Sequence, residues 1–123
     1  MTTKEAEAII AEKKATAREY LRTRLFRAQR HAQRVLERTT GSTSGIDLTT
    51  VYQGWEDQSP EQAGVNWCAC GTQDAATAKA FAQALVEITQ IAEDYNTERA
   101  ELLEDLEASA ADIRKRANEA EEA

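Results

Sequence analysis

The chain has 123 residues, 41% of them hydrophobic and 30% charged, with a net charge of −7, five glycines and one proline. That size fits one domain, and the mean hydropathy of −0.62 with heptad spacing fits long helices and a narrow apolar seam rather than a thick core. No run approaches about 18 apolar residues, so we expect neither a membrane span nor an apolar signal segment, and an acidic chain is a poor nonspecific binder of nucleic acid.

The charge is unevenly placed. Residues 1–40 hold ten Lys/Arg against five Asp/Glu, and residues 41–123 hold five against seventeen. The simplest arrangement lays a basic helix against an acidic one.

The first predicted helix covers residues 3–39. Thr2 and Glu5 fit a capping box, and Arg34 and Arg38 sit in the last turn, where the helix dipole favours cations. Gly41 is a natural stop. Ile10, Ala17, Leu21, Leu25, Ala28, Ala32 and Val35 share a face whose alanines let a partner helix approach closely. Ile9, Tyr20 and Phe26 lie off that face. Arg24, Arg27, Arg30, Arg34 and Arg38 form a stripe beside it, a candidate nucleic-acid contact or, more simply, a partner for acidic residues.

Residues 40–71 change character. A Thr/Ser/Gly loop is followed by residues 46–55, rich in Thr, Val, Tyr and Trp, and by a second strand candidate at 65–70. We expect a small β-hairpin here, with Tyr52, Trp55 and Trp67 as its contact surface. A lone hairpin is marginal in water, so it must pack on the helices or on another chain.

The second predicted helix covers residues 72–122, with Thr72 as its N-cap. Phe81, Leu85, Ile88, Ala92, Tyr95, Arg99, Leu102, Leu106, Ser109, Ile113, Arg116 and Ala120 follow a 4-3 alternation. Among these, Phe81, Leu85, Ile88, Tyr95, Leu102, Leu106 and Ile113 are the expected seam residues, toward the first helix or another copy. If the helices fold back on each other, the last dozen residues of the second should overhang the first, with the sheet capping the bend.

Chemistry-bearing groups are sparse. Cys68 and Cys70 share one strand face and with His31, the only histidine, make a candidate metal site. A structural zinc needs four ligands, and buried thiols explain the pair as well. No nucleophile lies near His31 in sequence, and the abundant carboxylates of the second helix lack the Glu-x-x-His pattern of di-metal bundles. We therefore expect no catalytic residue, no metal and no cofactor.

The fold class expected is mainly α: two long helices as an antiparallel helical hairpin or coiled coil with a β-hairpin inserted between them, all in one domain spanning 1–123. The function expected is non-enzymatic: a helical protein–protein interaction or assembly protein, such as a phage or mobile-element virion component or small accessory inhibitor. It would be cytoplasmic, or in the virion if phage-encoded, and would associate with copies of itself or with another protein, not with a membrane. One alternative is a nucleic-acid-associated protein using the arginine stripe. Another is an oligomeric small-ligand-binding protein with its pocket at the hairpin.

Overall fold

A computed structural model describes residues 1–40, 46–49, 63–67 and 75–122. The order is α1 (Thr3–Thr40), β1 (Ile46–Thr49), β2 (Ala63–Trp67) and α2 (Ala75–Glu122). The described residues are nearly all helix, and the two helices pack against each other. At about 1.5 Å per residue, the 38 residues of α1 span roughly 57 Å and the 48 of α2 roughly 72 Å.

The helices run antiparallel. Thr3 meets Glu121, Glu7 meets Arg114, Arg24 meets Glu98 and Arg38 meets Glu87, so one number rises as the other falls. This register corrects the expected overhang. The acidic end of α2 lies level with the start of α1, and the unmatched length is at the opposite end, in the first turns of α2. Thr2 starts α1 as expected: its Oγ1 accepts the Glu5 N–H at 3.1 Å.

The seam is internal to the chain. Ala6, Ile10, Ala17, Leu21, Leu25, Ala32, Val35 and Leu36 of α1 are buried, with Ala84, Ile88, Ala92, Tyr95, Ala110 and Ala117 of α2. Phe81, Ile91 and Leu102 pack against this core, while Leu85, Leu106 and Ile113 are half-buried. The 4-3 alternation is followed through Leu106 and then drifts. Ala110 and Ala117 are buried, whereas Arg116 and Ala120 are exposed, and Arg116 instead pairs with Asp112 at 3.0 Å.

The period explains the drift. Ala84, Tyr95, Leu106 and Ala117 lie eleven residues apart, as do Ile10, Leu21 and Ala32 on α1, and all are buried or half-buried. An eleven-residue spacing corresponds to about 3.67 residues per turn, close to a straight α-helix, whereas a strict heptad demands 3.5. Over a helix this long the difference moves the stripe by a residue.

The seam also has a thick and a thin half. Leu21, Leu25, Val35, Leu36, Ile88 and Tyr95 form one cluster with Ala32, Ala63, Ala84 and Ala92. Beyond it, the buried positions are mostly alanine: Ala6, Ala17, Ala110 and Ala117, with Ile10 the one large side chain.

Two short segments lie against this thick half. β1 and β2 pair antiparallel, Ile46 opposite Trp67 and Asp47 opposite Asn66, with an irregularity before Thr49 meets Ala63. β1 contacts α1 and β2 contacts α2. Their position is fixed by Asn96, whose Oδ1 accepts the Ala63 N–H at 2.7 Å and whose Nδ2 donates to the Ala63 carbonyl at 2.8 Å. Asn96 stands 21 residues into α2, roughly 30 Å from the helix start. The start of β2 thus lies well back along the helical pair, not at the bend where the sheet was expected. The rest of the expected hairpin, including Tyr52, Trp55, Cys68 and Cys70, and the N-cap expected at Thr72, fall outside the described residues.

Candidate functional site

The described surface is dominated by charge, and the helices sort that charge by face. From Tyr20 to Leu36 the sequence holds Arg22, Arg24, Arg27, Arg30, Arg34 and His31 and no acid. The helical period divides these residues. Arg24 and Arg38 flank the seam, while Arg27, Arg30 and Arg34 point away from α2.

The flanking arginines are engaged within the chain. Arg24 donates through Nε and Nη2 to one Glu98 oxygen at 3.1 and 3.0 Å, and Tyr20 donates its hydroxyl to the other at 2.6 Å. Arg38 reaches both oxygens of Glu87 at 3.1 and 3.3 Å. The Tyr20 hydrogen bond and the Arg24 guanidinium hold the Glu98 carboxyl below its usual range. The same bond holds the Tyr20 phenol above its usual range. At the far end the Arg114 guanidinium lowers Glu7, and the backbone N–H and hydroxyl of Thr3 lower Glu121.

The outward arginines are different. Arg27, Arg30 and Arg34 are exposed and make no ion pair among the described residues. Phe26 is 61% exposed beside them, with the Arg30 guanidinium 6.0 Å above its ring.

The outer face of α2 carries the opposite sign. Between Glu87 and Asp112 the helix holds seven further acids and a single base, Arg99, and of these Glu98 turns toward α1. Glu93, Glu101 and Glu104 are exposed and point away from α1, interspersed with Thr97 and Ala100 and followed by Ala108, whose small side chains leave the backbone approachable. Val86, 74% exposed, stands at one end of this face.

Of the residues predicted for other chemistry, His31 is exposed on α1, and no group of three or more potential metal ligands occurs among the described residues. Trp67 ends β2. The groove between Lys13, Thr16 and Tyr20 of α1 and Leu102, Asp105 and Ser109 of α2 is shallow and open, and it is edged by the Glu98 pair rather than by a reactive group. No described helix is long and apolar enough to cross a membrane. Sequence reasoning missed Asn96 and Glu98 as organising residues, because each acts on a partner more than 30 residues away and leaves no local signal.

Comparison with protein-family models, curated proteins and solved structures returns no match. The functional reading therefore rests on these faces.

Proposed function

We propose that the chain is a non-enzymatic helical interaction and assembly protein, a rod that works by presenting one basic and one acidic long face to protein partners. The observation that carries this reading is the sorting of charge. The arginines beside the seam are satisfied within the chain, while Arg27, Arg30 and Arg34 stand with exposed Phe26 on the outside. Arginine and exposed aromatic side chains are the types enriched in protein–protein interfaces, and these four contribute nothing to the seam.

In this reading residues 40–71 complete a β-hairpin against the helices, and Tyr52, Trp55 and Trp67 form a second contact surface. A small virion component or accessory inhibitor of a phage or mobile element suits these properties, acting in the cytoplasm or the virion.

Nucleic-acid association is the second reading, favoured by the same arginines and an adjacent aromatic ring. Against it stand the net charge of −7 and the acidic second face. A photo-crosslinking residue in place of Phe26 separates the readings. Discrete protein adducts are expected. Adducts confined to nucleic acid would select the alternative, and no adduct of either kind would overturn both.

A further inference from the structure

The basic outer face of α1 and the acidic outer face of α2 are complementary, and one molecule carries both on opposite sides. We infer that the occupant of the Phe26, Arg27, Arg30 and Arg34 face is the Glu93, Thr97 and Glu101 face of a second copy of this chain, so that copies stack head to tail. This rests on the interaction-protein reading and names its partner.

Three features of the molecule carry the inference. The first is charge. The acid-free arginine stretch of α1 is matched by the acid-rich stretch of α2, and both faces are exposed. The second is level. The ion pairs of the hairpin set Arg24 against Glu98 and Arg38 against Glu87, which places the Arg22 to Arg30 stretch at the same height along the rod as the Glu93 to Glu101 stretch, with Arg34 just beyond it at the level of Gln90. A copy displaced sideways, with no shift along the rod, therefore brings Arg30 level with Glu93, Phe26 level with Thr97, and Arg27 between Glu93 and Glu101. The third is shape. Thr97 lies between the two glutamates, where its small side chain leaves room for the projecting ring of Phe26.

In such a stack α1 of one copy lies antiparallel to α2 of the next, the same relation the helices have within a chain. The stack would keep one basic face unused at one end and one acidic face unused at the other, so the contact does not close. Heterologous contacts of this kind grow as open arrays rather than fixed dimers. Because exposed ion pairs are screened by salt, assembly should be strong only at low ionic strength.

The test is a charge exchange between two variants. R27E/R30E/R34E should have two acidic faces, and E93R/E101R/E104R should have two basic ones. By sedimentation velocity at about 20 mM salt, the unaltered chain should form a concentration-dependent ladder of species. Raising salt to about 500 mM should weaken that association by about tenfold or more. Each variant alone should remain a monomer with unchanged helix content by circular dichroism, and an equimolar mixture should assemble again. Milder variants, R27Q/R30Q/R34Q and E93Q/E101Q/E104Q, give the single-variant arms if charge reversal disturbs folding. An unaltered chain that stays monomeric at low salt would overturn the inference, and so would a mixture that does not associate or a closed dimer unaffected by either variant. If the chain stays monomeric while the Phe26 crosslinker still captures a different protein, self-stacking fails and the interaction-protein reading survives.

Discussion

Asn96 is the residue on which the placement of the inserted segment turns. A side-chain amide that both accepts from and donates to one backbone unit reproduces the pairing a neighbouring strand would give. Replacing it with alanine leaves the N–H and carbonyl of Ala63, a residue 6% exposed, without these partners. We predict that Asn96→Ala costs about 1–3 kcal/mol and speeds amide exchange at Ala63, with little change in helix content. Asn96→Asp keeps the acceptor and loses the donor, and should fall between. Nothing in the sequence around Asn96 advertises this: one asparagine in a helix of 48 residues is ordinary, and its partner is 33 positions away.

Glu98 is the second such residue. Its folded-state pKa is lowered, as are those of Glu7 and Glu121, so these carboxylates stabilise the hairpin above the ordinary carboxylate value of 4.5. That contribution is lost as pH falls through the lowered folded values. The raised phenol of Tyr20 acts at the other end: the pair is intact below the ordinary value of 10.0 and is lost as pH rises through the raised one. Melting temperature should therefore fall on acidification below about pH 4.5. Glu98→Gln should be less stable than the unaltered chain at neutral pH and should flatten part of that acid slope. An acid slope identical in the variant would contradict the assigned role.

At the scale of elements, the two helices were legible from period and caps, and the described strands fall within or beside the stretches expected for them, but where the sheet sits along the helical pair was not legible. Apolar spacing is a local signal that 38 and 48 residues repeat many times over. The stripe was read as a heptad because 3.5 and 3.67 residues per turn agree closely from Ile88 to Leu106 and separate toward the ends of α2, at Ala84, Ala110 and Ala117. The overhang was misassigned because helix lengths give no register. Register is set by long-range pairs such as Thr3 with Glu121, in which a carboxylate from the end of α2 satisfies an N–H at the start of α1. The thick and thin halves of the seam should differ in energy. Ile88 is fully buried and Ile113 only half-buried, so Ile88→Ala should cost about 2–5 kcal/mol and Ile113→Ala clearly less, measured by chemical unfolding. Hydrogen exchange should report the same gradient, with amides near Leu21, Leu36 and Ile88 protected longest.

At the scale of the molecule, the charged faces were only half visible in sequence. The arginine run was evident, but which of its members are engaged depends on where Glu87 and Glu98 lie across the seam, and that is a tertiary fact. The structure leaves Arg27, Arg30 and Arg34 outward and puts Glu93, Glu101 and Glu104 of α2 on the opposite side. The central claim is that the apolar seam is satisfied within one chain, and that any assembly runs through the charged faces. Solution mass measured across concentration and salt tests it most directly. The account predicts a 13.6 kDa species with full helix content at high salt, and larger species that appear only as salt is lowered. A fixed multiple of that mass, unmoved by salt and dissociating only as the helices unfold, would mean that the seam is shared between copies, and would contradict the account.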